Sequence, residues 1–287
     1  MKNLLLTPNP YRDRNFQTLR SALQILRECG FHVRVCLPFE VEQGCELPKD
    51  IRFSKLEREL PSAEMVICFG GDGTILHMAK AATRRGIPLL GVNIGTMGFM
   101  AELENTELEK LRLLAENKYQ IDRRMMLDVV VQRGMDYMFC DMCLNDAVIT
   151  KGAVARIVQL AVKCDGIQAM ECGGDGVIIS TPTGSTAYSL SAGGPIVEPD
   201  ADNIIITPIC SHDVASRCIV ASGRRVITVG LTSESRRNAY LSVDGGKTFR
   251  LNVGDVVTVK KSKMETKLVR LNDRSFYEVV NMKFRKG

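Results

Sequence analysis

The pentapeptide Gly70-Gly71-Asp72-Gly73-Thr74 stands between an apolar run, Met65 to Phe69, and residues at helical spacing, Ile75, Leu76, Ala79 and Ala82. Three glycines let the backbone turn tightly and let a bulky anion approach without Cβ clashes. The helix that starts there aims unpaired N–H groups at the same spot. Gly70, Gly71, Gly73 and Thr74 are therefore candidate phosphate contacts. Asp72 is out of character among them. At an effective dielectric near 20, two unit charges about 4 Å apart repel by about 4 kcal/mol, and a helix terminus returns only about 0.3–1 kcal/mol. A carboxylate here implies a divalent cation on the phosphates, or a carboxylate that faces an attacking hydroxyl instead. The other reading is a structural turn with Asp72 as a helix cap. A dinucleotide fingerprint is excluded, because Leu76 stands where its third glycine belongs. Gly246-Lys247-Thr248 imitates the end of a P-loop, yet Leu241 replaces its first glycine and strand-like sequence follows, so it reads as a turn.

A second candidate is the block from Gly174 to Pro195. Val177-Ile178-Ile179 leads into Ser180-Thr181-Pro182-Thr183-Gly184-Ser185-Thr186-Ala187-Tyr188-Ser189-Leu190-Ser191, and Gly193-Gly194-Pro195 closes it. So many hydroxyls predict little core. They offer short donors and acceptors and one aromatic, suited to a sugar and a base; a solvated Ser/Thr loop is the plainer reading. Tyr188 is either a wall against a flat ring or a half-buried packing residue, and Phe99 shares that ambiguity. A third candidate is Asn145-Asp146 within the apolar run Cys143–Ile149, which reads as one strand. Adjacent strand residues point to opposite faces, so one of the two polar groups faces a core or a cleft. Cys140 and Cys143 spell C-x-x-C, but on a strand they face opposite sides, which argues against metal. His212, in Ser211-His212-Asp213, has no nucleophile elbow beside it and reads as structural.

The elements that must carry these residues fall into two groups. Asn3 to Thr7 reads as a buried strand, Arg14 to Cys29 as a helix stopped by Gly30, and Phe31 to Leu37 as a strand. The Met65 strand, its helix up to Gly86 and a strand over Ile87–Val92 follow. Thr106 and Glu109 make a capping box for a further helix to about Asn117. Alternating strands and helices predict a parallel sheet with helices on its faces. After about residue 121 helical spacing nearly vanishes, apart from Ser185 to Ala192. Segments such as Leu127–Gln132, Ala155–Lys163, Asn203–Pro208 and Ala239–Val243 read as strands of an antiparallel sandwich. Phe276, Tyr277, Val280 and Phe284 then resume helical spacing in a tail that packs back on the first domain. The expected fold is thus an N-terminal α/β, Rossmann-like domain over residues 1–121 plus the tail 268–287, and an all-β, sandwich-like domain over residues 122–267.

With 287 residues, 45% of them hydrophobic and 25% charged, two domains can each bury a core. The net charge of +5 is too small and dispersed for a nucleic-acid binder; the densest basic run is Lys260, Lys261 and Lys263. No apolar stretch approaches a membrane span, and the run after Met1 is too short for a signal peptide. Ten cysteines without such a signal predict reduced thiols in a cytoplasmic protein.

Taken together, the turn at Asp72, the Asn145-Asp146 pair and the block from Asp175 to Pro195 resemble the NAD kinase family. The likeness extends to Gly95-Thr96-Met97-Gly98-Phe99, Ile206-Thr207-Pro208-Ile209-Cys210 and Ser242-Val243-Asp244-Gly245. The resemblance implies transfer of a phosphoryl group from ATP or polyphosphate, with Mg²⁺ or a similar cation, to the 2′-hydroxyl of the adenosine ribose of NAD. It implies an α/β domain and a β-rich domain with the site between them, in a homodimer or homotetramer. By motif position it implies Asp72 as catalytic base, Gly73 and Phe99 in the NAD pocket, and Asn145 and Asp146 on the nucleotide. Asp175, Thr183, Thr186, Ala187, Tyr188 and Ser191 would surround adenine, ribose and nicotinamide, with Asp175 reaching a neighbouring subunit. No residue is implied as a metal ligand. Gly173 stands where many members have arginine, and a small residue there accompanies use of NADH as well as NAD. Gly246 stands where glutamine is common. Two rivals share parts of the pattern: a lipid kinase of the diacylglycerol or sphingosine type, which has the same glycine turn, and a non-catalytic nucleotide-binding redox regulator. The first must meet a membrane, and this sequence shows no basic amphipathic helix or apolar surface stretch for that.

Overall fold

The structure, a computed structural model, describes residues 2–42, 45–95, 98–152, 157–212, 216–232 and 238–284. It divides into two compact units, Met1–Arg123 with Thr266–Gly287, and Arg124–Glu265.

The first unit is built on a parallel sheet. Its strands run in the order Phe53–Ser54, His32–Cys36, Asn3–Pro8, Met65–Gly70 and Leu89–Asn93, with Leu103–Glu104 and the end of the strand Asp255–Arg270 both on the last edge. Met65–Gly70 is buried at every position, as a strand covered on both faces must be, which is why it reads as an unbroken apolar run. Helix Gln17–Glu28 buries Leu19, Ala22, Leu23, Ile25 and Leu26 against Leu4, Leu6, Ile67 and Leu111. Its first turn is capped from outside: the Asp13 carboxylate accepts the N–H groups of Thr18 and Leu19 at 3.0 and 2.9 Å. Helix Asp72–Thr83 leads out of the glycine turn and buries Ile75, Met78, Ala79 and Ala82.

The expected capping box is a correction. Leu108–Leu114 is a 3₁₀ helix with no side-chain cap. Glu109 is drawn away by Arg112 at 2.7 Å, and Glu107 instead accepts the Glu104 N–H at 3.0 Å. The tail is tied to this unit through Glu102. Its carboxylate accepts N–H groups from Leu271 and Asn272 and from the Arg270 guanidinium, which also holds Asp122 at 2.9 Å. The last helix is Phe276–Phe284.

The second unit is an antiparallel sandwich. One sheet runs Ile219–Ser222, Asn203–Ile209, Gly176–Ser180, Asp146–Lys151, Ala239–Val243, Phe249–Leu251. The other contains Ile167–Gly174, Val158–Cys164, Ile227–Leu231, Asp255–Arg270, Gln120–Arg133 and Asp136–Cys143. Between them lie Ile149, Val177, Ile179, Ile204, Ile206 and Leu241 from the first sheet and Val129, Leu160, Val229 and Val257 from the second. Alternate residues of the first sheet, Val148, Ile178 and Ile209, face the other way and are covered with Ala192. That second covered face carries the candidate residues Asp146 and Ser180. The start of the expected strand Ala155–Lys163 lies outside the described residues.

Candidate active site

In the first unit the chain leaves the Asn3–Pro8 strand toward one edge of the sheet and returns to place Met65–Gly70 on the other side of it. The carboxyl ends of these two adjacent strands are thus a topological switch point, where open α/β sheets bind ligands. Pro8 ends one strand and Gly70 the other, in register with each other's neighbours. Around them lies a cavity of about 340 Å³ lined by Asn9, Arg12, Gly71, Gly73, Thr74 and His77, among others. The glycines do different work. A Cβ on Gly70 would lie 2.2 Å from Thr74 Oγ1, so the turn closes only without one, whereas Gly71 and Gly73 face open space. Thr74 Oγ1 accepts the Asn9 amide at 3.1 Å, which fixes the loop after the first strand to the turn. An exposed guanidinium, Arg12, and the N-terminus of the helix Asp72–Thr83 then border one cavity, the chemistry of a phosphate cradle.

Asp72 is the first residue of the helix, and its carboxylate turns to the segment 98–100. Oδ2 accepts the Phe99 N–H at 2.7 Å and Oδ1 the Met100 N–H at 3.0 Å. Gly98 is required there, since a Cβ would fall 1.9 Å from Asp72 Oδ1. Asp72 therefore does not cap its own helix, whose N-cap is Gly71; it gathers a second loop. Phe99 packs its ring 6.4 Å from that of Phe276, with Lys283 Nζ 4.7 Å above it. Thr96 and Met97 lie outside the described residues.

In the second unit three sequence motifs meet at one bend. The run Cys143–Ile149 is not a single strand, which corrects the expectation. It breaks at Leu144 and Asn145, and a new strand starts at Asp146. Thr181 holds the bend from one side, its N–H on the Asn145 carbonyl at 2.9 Å and its hydroxyl on the Leu144 carbonyl. Gly184 packs so closely that a Cβ would lie 2.1 Å from the Asn145 carbonyl oxygen. Asp146 is 5% exposed, and burial, with the charge of Asp244 adding to it, raises its carboxyl to about 7. Asn145 Oδ1 and Ser180 Oγ are buried without a partner, and Ser180 stands opposite Asp146 in the strand register. Orphaned buried polar atoms beside a neutralisable carboxyl are groups prepared for a ligand.

The Ser/Thr block also departs from expectation, because much of it is core. Ser180, Thr181, Thr183, Ser185 and Ser189 are buried. Apart from that of Ser180, their hydroxyls are taken within the fold: Thr183 Oγ1 accepts Arg124 at 3.2 Å, Ser185 Oγ bridges the N–H and carbonyl of Val197, and Ser189 Oγ meets Thr207 Oγ1 at 2.8 Å. Thr186, Ala187, Tyr188 and Ser191 are the accessible members, Tyr188 at 44% exposure. Asn145, Asp146 and Thr183 are thus brought together. Asp175 is not: Gly176 pairs with Thr150 while Ser180 pairs with Asp146, which sets Asp175 about 15 Å along the sheet from Asp146. It pairs there with Lys151 at 2.6 Å. Gly173 is at that same end, accepting the His212 N–H at 2.9 Å.

Comparison with known proteins finds a match for each of the two parts of the chain. Residues 4–119 match the model of the ATP-NAD kinase N-terminal domain and residues 144–271 that of the C-terminal domain. An NAD kinase of Acetivibrio thermocellus is 39% identical over 284 residues, 99% of this chain and 97% of its own. The chain belongs to the NAD kinase family. An NAD kinase of Natranaerobius thermophilus is 43% identical over 226 residues, 78% of this chain and 79% of its own. Among solved structures, yeast NADH kinase complexed with NADH has a TM-score of 0.85 at 23% identity, covering 99% of this chain and 88% of that one. An NAD kinase from Archaeoglobus fulgidus in complex with ATP has a TM-score of 0.76 at 23% identity, over the whole of both chains. These two share the kinase fold.

Sequence reasoning missed Asn9, Arg12 and His77. A usable signal existed for His77, which lies one helical turn after Gly73 and so on the same face. None existed for Asn9 and Arg12, which reach the turn only through the strand order. The redox reading loses ground: the ten cysteines are thiols rather than disulfides, and burial pushes the Cys36 and Cys68 thiols up to about 12, where they are inert. Cys140 is exposed and Cys143 buried, as opposite faces of a strand require, and no cluster of three metal-ligating side chains occurs among the described residues. Asp213 lies outside the described residues.

Proposed function

We propose that this kinase phosphorylates the 2′-hydroxyl of the adenosine ribose of NAD, with ATP or polyphosphate as donor. The observation that carries the reading is the pair of prepared polar sites, an anion cradle beside Asp72 in the first unit and the orphaned Asn145 and Ser180 atoms around Asp146 in the second. Phosphoryl transfer asks a protein mainly to position reactants and stabilise charge. Gly71, Gly73, Thr74 and Arg12 would hold the terminal phosphates. The Asp72 carboxylate keeps lone pairs beyond those bound to Phe99 and Met100, and one accepts the proton of the ribose hydroxyl as its oxygen forms the new P–O bond. The bond to the bridging oxygen breaks, releasing ADP or a shortened polyphosphate. Gly73 and Phe99, with Asn145, Asp146, Thr183, Thr186, Ala187, Tyr188 and Ser191, would contact the dinucleotide.

Among the described residues the side chains near the turn do not form a metal cage, and the carboxylate there, Asp72, already accepts two N–H groups. That fits a divalent cation arriving on the donor phosphates. Bound Mg²⁺ would neutralise the oxygens that Asp72 otherwise repels. Asp175, some distance from Asp146 in its own sheet, fits a role toward another copy in a homodimer or homotetramer. No helix among the described residues is long and apolar enough to cross a membrane; we place the kinase in the cytoplasm.

The deciding experiment incubates purified protein with NAD, ATP and Mg²⁺ and follows NADP. Product supports the reading, binding without product favours a regulator, and turnover of lipid alone favours a lipid kinase. A positioned base contributes about 10²–10⁴-fold. Asp72→Asn should lower kcat by that range with little change in NAD affinity, and near-normal turnover would remove Asp72 from the chemistry. Gly173 fits use of NADH as well as NAD; replacing it by arginine brings a side chain onto the Gln159 amide. The ratio of NADH to NAD turnover should fall in Gly173→Arg.

A further inference from the structure

Three successive backbone amides converge on one carboxylate that no motif role accounts for. Asp244 Oδ2 accepts the Leu144 N–H at 2.9 Å, and Oδ1 accepts those of Asn145 at 2.8 Å and Asp146 at 3.2 Å. In return the Asp244 N–H donates to the Asp146 carbonyl at 3.0 Å. Asp244 sits at φ 51°, in the left-handed region, directly after the strand Ala239–Val243, which pairs with Asp146–Lys151. With Thr181 on the far side, the backbone of the bend is held from two directions. The polar atoms left over, Asn145 Oδ1 and Ser180 Oγ, belong to side chains.

We propose that Asp244 is a positioning residue for the dinucleotide: it folds the Leu144–Asp146 bend so that Asn145 and Asp146 are presented together, and its charge governs whether Asp146 offers a donor or an acceptor. This rests on the reading that Asn145 and Asp146 contact the nucleotide. Two groups of observations support it. Three N–H bonds to one carboxylate fix a bend that the apolar sequence around it would otherwise draw into a straight strand. Second, Asp244 is the charge that adds to burial in raising the Asp146 carboxyl to about 7. The elements packed on Asp146 offer little else. Gly176–Ser180 has no titratable side chain, Tyr240 lies opposite Thr150, and Lys151 is paired with Asp175. Near neutrality Asp146 is therefore divided between a hydroxyl donor and a carboxylate acceptor, and Asp244 biases that division toward the donor.

Asp244→Asn tests the proposal. Asparagine tolerates the left-handed region, and its oxygen still accepts from Asn145 and Asp146, but it removes the charge and sets an NH₂ against the Leu144 N–H. The expected result is a KM for NAD raised about tenfold, a smaller change in kcat, and a midpoint for pH-dependent NAD binding displaced below 7. A raised KM with an unmoved midpoint would reduce Asp244 to a turn cap and overturn the electrostatic half; an unchanged KM would overturn the positioning half. Carbon-13 titration of the Asp146 carboxyl in unliganded protein reads the same coupling without activity. A shift there in a protein that makes no NADP would defeat the functional reading and leave the coupling standing. If the variant does not fold, Asp146→Asn in the parent decides: NAD binding that keeps its pH dependence near 7 would overturn the proposal.

Discussion

Replacing Asp146 by asparagine should stabilise the protein, and the gain should depend on pH. Asp146 is 5% exposed, and burial, helped by the nearby Asp244 charge, moves its carboxyl from an ordinary 3.8 to about 7. An acid whose folded value is raised binds its proton more tightly in the native chain than in the unfolded one. Its contribution is harmless below about pH 4, becomes steadily more destabilising as pH rises to about 7, and is constant above that. Each unit of difference is worth about 1.4 kcal/mol, so the penalty is on the order of 4 kcal/mol at pH 8 and about 2 kcal/mol at pH 5. Asparagine keeps the shape and never ionises. The advantage of Asp146→Asn over the parent should therefore grow by about 2–3 kcal/mol between pH 5 and pH 8. In a domain of this size each kcal/mol moves Tm by about 2–4 °C, so the difference in Tm should widen by about 8 °C. Thermal unfolding without nucleotide, followed by circular dichroism at both pH values, measures it. Effects of lost contacts are the same at every pH and cancel in the comparison. An equal difference in Tm at pH 5 and pH 8 would refute the claim that this carboxyl is buried at a cost.

Other substitutions probe the remaining parts. Arg12→Ala should raise the KM for ATP about tenfold, by loss of a charge-assisted contact, while the KM for NAD stays within about twofold; steady-state kinetics with each substrate varied in turn would show it. Gly184→Ala forces a methyl group to within 2.1 Å of the Asn145 carbonyl, so the bend must shift, and calorimetric titration should show NAD affinity lost while ATP binding persists. Glu102→Ala leaves Arg270 with Asp122 and the Met100 carbonyl and strands the N–H groups of Leu271 and Asn272, which should cost about 3 kcal/mol in urea unfolding.

What the sequence made legible follows the range of the forces involved. The glycine turn is local: an apolar strand, three glycines and an amphipathic helix lie next to one another, and their conformations follow from neighbours. The α/β unit and the antiparallel sandwich were legible for the same reason, through the change from period 3.6 to period 2 after about residue 121. Phe53–Ser54, Ile219–Ser222 and Phe249–Leu251 are too short to show a period, and each is placed by the strand it pairs with. The bend at Asn145 was hidden because its cause, Asp244, lies 99 residues further on.

The Ser/Thr block shows why composition could find a site yet misjudge its parts. Thr181, Thr183, Ser185 and Ser189 are the same residue types as Thr186 and Ser191, but the first group spends its hydroxyls on Leu144, Arg124, Val197 and Thr207. Those partners come from other strands and loops, so no window of sequence contains them. Once they are paired, the buried hydroxyls become the scaffold that holds Gly184 against the Asn145 carbonyl. Thr186, Ala187, Tyr188 and Ser191 remain accessible on the turn that this scaffold presents. A hydroxyl-rich block can thus be both core and contact surface. The division between the two is set by which acceptors the rest of the fold brings near, and among the buried polar atoms left unpaired, those on Asn145 and Ser180 lie at the bend where we propose that the dinucleotide binds.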